Sequence, residues 1–499
     1  MIIEMAHAQS AHTRDKKIRK RNLKILLISP CADPNFEVPK GLMIPQLALH
    51  LLEGLTPPEH QVSLVEEENE VLNLDEECDL VGISFMTANA PRAYHLAQEF
   101  KKRGKTVVFG GVHPTILPEE ALQYGDSVVI GEAEGVWEQL LDDYQNGGVQ
   151  RTYHNPKPSL ERYIPKTYGK SNQKKSFHVI PIMTTRGCPY DCDFCCVSDL
   201  HGKQIRHAPI SNVIRDIEES EGKAFIFLDD NIIGQPKYAK ELFRALKPLN
   251  IKWGGQASIS FVRDTELMKL AAESGCVALF FGVESVSEAQ LKSMRKSIKE
   301  IYKIEEAIKR INALGILFHA SIVFGFDNDT KDIFPETLDF LRRNKVSSTS
   351  LNILTPYPGT RIYEQFKSEG RLLTTDWKYY DHSTVTFMPK NMSPDELQAG
   401  TLWVKKEFAK ISSILRRLPA NRAHPLLYLS LNLALRQIVK IDAIKLPVLI
   451  PELFEKHVDE SVIKRARAAI RDFDQKHLQK EGLRLLKMVL SRKHAHARI

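Results

Sequence analysis

Three cysteines in one short loop carry the strongest chemical signal in the chain: Cys188-Pro-Tyr-Asp-Cys192-Asp-Phe-Cys195. Thiolates at C-x3-C-x2-C spacing wrap one cubane iron–sulfur cluster from a single loop and leave one iron without a protein ligand. An iron with an open position binds a substrate or cofactor, and burial and hydrogen bonding tune the cluster's potential. A structural zinc knuckle is the alternative. Zinc wants four protein ligands in a closed tetrahedron, with His201 or Cys196 as the fourth. The loop's place favours the cluster, because it follows a predicted strand at the head of a series of strand–helix units. Four of the seven cysteines fall between Cys188 and Cys196. An odd, clustered set reads as metal ligation and not as a disulfide framework.

Other residues with chemical capacity stand at the ends of predicted strands. Phe227-Leu228-Asp229-Asp230-Asn231 ends one strand with two acids and an amide, and Phe281-Gly282-Val283-Glu284-Ser285 ends another. Gln256 and Ser258 close a third. Polar groups at such ends face ligand in parallel α/β folds. The competing roles are helix N-capping for the Asp229 segment and turn-and-cap chemistry for Glu284 and Ser285. Nearer the N-terminus, Gly110-Gly111-Val112-His113-Pro114-Thr115 and Gly131-Glu132-Ala133-Glu134 each follow a strand. Glycines there let a flat ligand approach the backbone. The loop after the first strand, Pro30-Cys31-Ala32-Asp33-Pro34-Asn35, lacks G-x-G-x-x-G, which argues against nicotinamide or flavin binding.

The elements that must hold these residues alternate between strand and helix. Short apolar runs predict strands at 23–29, 61–66, 80–84, 106–109 and 127–130, with helices at 42–55, 93–103 and 134–144. This is an open parallel sheet of the doubly wound type, whose ligands sit beyond the carboxyl ends of the strands. Residues 151–175 read as a linker. Six further strand–helix units follow, with strands at 179–184, 224–228, 252–256, 277–281, 318–324 and 348–354. Six units in series predict a partial barrel, since a closed one uses eight. Beyond Gly370 the strand signals fade, and 394–415, 426–440 and 458–488 read as helices. The expected domains are a disordered basic arm (1–22), a doubly wound domain (23–150), the linker, a barrel (176–370) and a helical basic domain (371–499).

The 499 residues are 43% hydrophobic and 26% charged, which argues for a soluble globular chain and against disorder. No apolar run reaches the roughly 18 residues of a membrane span. The N-terminus lacks the apolar core of a signal peptide, so a cytoplasmic protein is expected. Residues 401–499 hold 21 Lys/Arg against 9 Asp/Glu, a net of +12, while the first 400 carry a net of −5. The basic tail predicts an acidic partner such as a lipid headgroup surface, and not a nucleic-acid fold. An interfacial helix and an ordinary helical domain with solvated charges both fit it.

The cysteine loop, with Phe194 before its third cysteine, resembles the signature of the radical S-adenosylmethionine superfamily over residues 176–370. The resemblance implies a [4Fe-4S] cluster on Cys188, Cys192 and Cys195, whose open iron chelates S-adenosylmethionine and cleaves it to a 5′-deoxyadenosyl radical. It implies cofactor contacts at Phe194, Asp229, Asp230, Gln256, Ser258, Glu284 and Ser285. Residues 23–145 resemble the cobalamin-binding domain of radical enzymes, with contacts implied at Gly110, Gly111, His113, Gly131 and Glu132. The chain lacks the D-x-H-x-x-G motif that supplies a histidine to cobalt, so the corrinoid is expected to bind without a histidine on its lower face. The whole is similar to cobalamin-dependent methyltransferases such as hopanoid methylases. The implied reaction methylates an unactivated carbon of a lipid or other small molecule, with electrons from a ferredoxin or flavodoxin and peripheral membrane contact through the C-terminal region. Oxidative cyclisation or carbon–carbon coupling without methyl transfer is the alternative reaction, and a cobalamin or redox sensor a third reading. No side chain is nominated as general base.

Overall fold

In a computed structural model of the chain, the described residues run from 21 to 449, apart from 33–43, 156, 163–178, 221, 288–289, 291–300 and 419–422. The predicted arm at 1–20, most of the expected linker and the helix expected at 458–488 lie outside them.

The first layer is a six-stranded, all-parallel sheet: β1 (Lys24–Ser29), α1 (Leu47–Leu55), β2 (Gln61–Glu66), β3 (Leu80–Ser84), α2 (Ala90–Lys102), β4 (Thr106–Gly110), α3 (Val112–Ile116), α4 (Pro118–Ala121), β5 (Ser127–Gly131), α5 (Trp137–Gln145) and β6 (Thr152–Asn155). Its order is β2-β1-β3-β4-β5-β6. The central strands are apolar on both faces because both are covered. Leu26 and Ile28 of β1 face a core with Ala93, Ala97 and Phe100 of α2. Ile25 and Leu27 face another with Leu49 of α1 and Trp137 of α5. Strand order reverses between β1 and β3, which opens a crevice at the carboxyl edge. β6 lies in the stretch read as linker. Its four residues are too few for a periodicity signal, and it exists by pairing with β5.

The second layer comprises β7 (Val179–Ile182), the short hairpin β8 (Thr185–Arg186) and β9 (Arg206–His207) around α6 (Val197–Leu200), then α7 (Ile210–Glu219), β10 (Ala224–Phe227), α8 (Pro236–Leu246), β11 (Lys252–Ala257), α9 (Thr265–Glu273), β12 (Cys276–Glu284), α10 (Ile301–Ala313), β13 (Leu317–Phe324), α11 (Ile333–Arg343), β14 (Ser348–Ile353) and α12 (Arg361–Ser368). Its parallel order is β14-β13-β12-β11-β10-β7, so β7 and β14 are free edges of an open six-unit barrel. Alternation along each strand divides two environments. Phe281, Phe318, Ala320, Ile322 and Phe324 pack outward into the main core. The opposite parity carries Phe280 and His319, whose rings lie 4.2 Å apart, and His319 bonds Ser348 and Ser350.

The C-terminal part is helical, with α13 (Pro394–Phe408), α14 (Ile411–Arg416) and α15 (Pro425–Leu449). The helix expected at 394–415 is broken between α13 and α14. Ile414, Tyr428, Leu429 and Leu433 pack on Leu317 and Ala278, at the amino ends of β13 and β12. These helices therefore seal the end of the barrel opposite its carboxyl edge. Among the described residues no helix is long and apolar enough to cross a membrane.

Arg417 pins this seal. It is fully buried, lies over the Phe408 ring, and donates to the carbonyls of Val346, Ser347 and Phe408 and to Asn432 Oδ1. These partners are neutral, and burial pulls its pKa down to about 10. Arg417→Met keeps the stem but strands several buried acceptors. It should cost about 2–4 kcal/mol, read as a lower urea midpoint; an unchanged midpoint would contradict the role.

Candidate cofactor site between the two sheets

The cysteine loop leaves β8 through Gly187, whose φ of +104° suits glycine. A Cβ there would stand 2.7 Å from the Gln204 carbonyl oxygen. Three sides of the loop are held. At its root, Gly187 N–H donates to Asp230 Oδ2 (2.9 Å) and Cys188 N–H to the Gly202 carbonyl (3.2 Å). On its outer side, Arg361 at the start of α12 bonds Asp193 Oδ1, Asp191 Oδ1 (2.9 Å) and the Asp191 carbonyl (2.7 Å). Beneath it, Phe194 meets Phe326 edge-on, with ring centres 5.7 Å apart. Phe326 is fixed by Asp329, whose carboxylate accepts the Gly325 and Phe326 N–H groups.

The thiols of this loop lie near enough to act on one another. Burial pushes the Cys195 pKa up to about 12, and the neighbouring Cys196, Cys192 and Cys188 push in the same direction. A nest in which thiolates destabilise one another is stabilised by a cationic metal core, so Cys188, Cys192 and Cys195 fit a cluster. His201, offered as a fourth zinc ligand, sets Nδ1 against Asp230 Oδ2 (3.1 Å).

The strand-end residues divide into two groups. Asp230, Gln256, Ser258 and Glu284 stand at the carboxyl edge of β10, β11 and β12. Glu284 has φ +67°, and the β12–β13 register shifts beside it. Such a bulge re-aims a side chain. Ser258 bonds Ser260 (2.7 Å) and Asn231, and Ser285 Oγ accepts the Ser287 N–H, which is turn chemistry. Asp229 does not belong with them. It is 1% exposed, and its carboxylate accepts the Thr184 N–H and the Thr184 and Thr185 hydroxyls. Burial pushes its pKa up to about 6, while those hydrogen bonds pull the other way. Asp229 braces β7 against β10 and offers nothing to a ligand.

A cavity of about 460 Å3 opens where the carboxyl edges of the two sheets face each other. Gly110, Gly111 and Gly131 line it from the first sheet, and Met183, Arg186, His201 and Leu228 from the barrel. At Gly110 a Cβ would meet nothing within 4 Å and would project into open space. The deeper wall, with Leu51 of α1 and Trp137 of α5, is apolar. Flat glycine strand ends, an apolar recess for the base of a nucleotide tail, and Glu134 Oε2, buried without a partner, fit a corrinoid with its rim of amides. His113 is elsewhere. It is fully buried, with Tyr94 and Glu120 at Nε2 and Trp377 beside its ring. Its place is a clasp between the first sheet and the C-terminal segment, so it is withdrawn as a corrinoid contact.

Glu132 lines the cavity, yet its carboxylate is consumed. It pairs with Arg186 and with Arg206, while Glu134 Oε1 accepts from Arg186 Nη2 at 2.6 Å. Arg186 and Glu132 are 5% and 7% exposed. Burial would raise the Glu132 pKa, but Arg206 and Arg186 outweigh it and hold the group below the ordinary glutamate range. Burial would lower the Arg186 pKa, and the two carboxylates more than offset that. Arg186, Arg206 and Glu134 carry no role in the sequence pattern alone. The available signal was the i, i+2 spacing of Glu132 and Glu134 beyond one strand end, and an arginine two residues before the first cysteine of the loop.

Residues 182–341 match the radical SAM superfamily model and residues 63–141 the B12 binding domain. The bacteriochlorophyllide d C-12(1)-methyltransferase of Chlorobaculum tepidum is 32% identical over 413 residues, covering 80% of this chain and 90% of that enzyme. The hopanoid C-2 methylase of Rhodopseudomonas palustris is 27% identical over 39% of each chain. The solved structure of the cobalamin-dependent S-adenosylmethionine radical enzyme OxsB shares the fold with a TM-score of 0.59, at 16% identity, over 95% of this chain and 81% of its own.

Glu132→Gln leaves the buried Arg186 and the half-buried Arg206 short of charge and should destabilise by about 3 kcal/mol. Since the folded Glu132 pKa is depressed, its contribution is present above the unfolded value of about 4.3 and is lost as pH falls through the folded one. Acid titration of unfolding should therefore show a steeper loss in the parent than in the variant. Identical acid profiles would contradict the assignment.

Proposed function

The chain belongs to the cobalamin-dependent radical S-adenosylmethionine methyltransferases, and from that premise we propose that it methylates an unactivated carbon of an apolar, polycyclic small molecule, a tetrapyrrole or a polycyclic lipid. The observation that supports this reading most is the single cavity shared by the glycine edge of the first sheet and the mouth of the barrel. S-Adenosylmethionine at the cluster supplies the chemistry that removes a hydrogen atom, and the corrinoid supplies the methyl group that replaces it. Cys188, Cys192 and Cys195 hold the cluster. Phe194, Asp230, Gln256, Ser258, Glu284 and Ser285 surround the nucleotide side. Gly110, Gly111 and Gly131 bed the corrin ring, and Glu134 Oε2 accepts one of its amide N–H groups.

The remaining side chains exclude water and fix distance. Met183 and Leu228 present apolar surface to the cavity from the barrel side, which suits an apolar substrate and protects a reactive carbon. The similarity to enzymes named for bacteriochlorophyllide and hopanoid substrates agrees with that lining. Electrons come from a ferredoxin- or flavodoxin-type donor. Trp403 and Leu426, exposed on α13 and α15, together with the basic C-terminal stretch, make peripheral membrane contact in the cytoplasm.

The test is anaerobic reconstitution with iron, sulfide, cobalamin and reductant, followed by turnover with a bacteriochlorophyllide and with a hopanoid. The expected product is heavier by one CH2, with 5′-deoxyadenosine and S-adenosylhomocysteine both formed, and Cys192→Ala abolishes it. A product that has only lost hydrogens, or methylation without a corrinoid requirement, would overturn the reading.

A further inference from the structure

His201 belongs to the cofactor cavity, but its only assignment so far was as a possible zinc ligand. It follows α6, directly after the cysteine loop, and lines the cavity on the barrel side, across from the glycine edge of the first sheet. Its backbone is held from both directions: its N–H donates to the Val197 carbonyl (2.8 Å), and its own carbonyl accepts from Arg206 Nη2 (3.4 Å). Its ring is held as well, by Nδ1 against Asp230 Oδ2 at 3.1 Å. The same Asp230 oxygen accepts the Gly187 N–H one residue before Cys188. A carboxylate on one imidazole nitrogen fixes the tautomer and turns the other nitrogen into an oriented acceptor. With Nδ1–H on Asp230, the lone pair of Nε2 is left for the cavity. An ordinary surface histidine has neither a pinned backbone nor a carboxylate shared with the root of a metal loop.

We propose that His201 is a corrinoid-positioning residue, accepting a hydrogen bond through Nε2 from the barrel-facing side of the bound corrinoid while Asp230 holds its tautomer. The proposal rests on the cavity being the corrinoid site. Asp230 then serves two ligands at once, since it sets both the histidine that meets the corrinoid and the turn that delivers the first cluster cysteine. Glu134 grips the corrinoid from the first sheet and His201 from the second, so the ring is registered against both halves of the protein.

The probe is hydroxocobalamin, titrated anaerobically into the cluster-reconstituted full chain and followed by its visible absorption, with iron content measured on every sample. His201→Ala should weaken binding about tenfold, as the loss of one well-placed acceptor does, and shift the spectrum of the bound corrinoid, with iron content unchanged. His201→Gln, which offers a carbonyl oxygen in place of Nε2, should restore the parent spectrum and most of the affinity. His201→Phe fills the space of the ring without an acceptor and leaves the Asp230–Gly187 bond in place; it should reproduce the weaker binding and the spectral shift, and it decides the matter if His201→Ala does not fold. Parent-like affinity and spectrum in both His201→Ala and His201→Phe overturn the proposal. Failure of the parent protein itself to bind hydroxocobalamin overturns the cavity assignment on which it rests.

Discussion

Two arginines and two glutamates sealed between the sheets set the geometry on which everything else depends. Glu132 and Glu134 extend from β5 of the first sheet, Arg186 ends β8 beside the cysteine loop, and Arg206 lies in β9. Charges this buried are tolerated only when paired and hydrogen-bonded, and a pair with one member removed is far worse than no pair at all. The cluster is balanced in formal charge, and Arg206 also donates to the Pro158 carbonyl. Its contribution is specificity more than stability, because a slide of one sheet against the other separates opposite charges in a poorly solvated place. The glycine edge of the first sheet and the cysteine loop are thereby held in one register.

The same logic extends around the barrel mouth. The last unit of the barrel reaches back to its first loop through Arg361, and the loop after β13 reaches it through Phe326. The first sheet touches the far side of the mouth where Gly359, after β14, comes against Ile116 of α3. An open barrel has two free edges, and these contacts substitute for the missing strands. The closed end is handled differently. There, α14 and α15 supply apolar side chains and the buried Arg417 supplies donors for carbonyls that no strand satisfies. One end is thus built to be rigid and dry, the other to hold ligands between two surfaces.

Much of this was legible in the residues. The two sheets follow from apolar runs alternating with amphipathic helices, and the cysteine spacing stands out without any fold. What escaped has a common physical character. β6 exists only through pairing with β5, so four residues of sequence could not announce it. Asp229 and Asp230 are neighbours of one chemical type. Because successive residues of an extended segment point to opposite faces, one is buried under Thr184 while the other meets Gly187 and His201. His113 sits in a glycine loop that does line the cavity, but the turn of α3 carries its ring away to Tyr94, Glu120 and Trp377, the last more than 250 positions along the chain. Arg186, Arg206, Glu132 and Glu134 acquire meaning only when the sheets are assembled, since the spacing of the two acids marks a pair but not its partners in the other domain.

The central claim is that cluster and corrinoid face one cavity across this charged junction. Low-temperature electron paramagnetic resonance on protein loaded with both, the cobalt in its paramagnetic divalent state, measures that directly. With the cluster reduced, the cobalt signal should broaden and relax faster than with the cluster oxidised, because two unpaired spins share one pocket. A cobalt signal indifferent to the redox state of the cluster would place the two sites far apart and contradict the account.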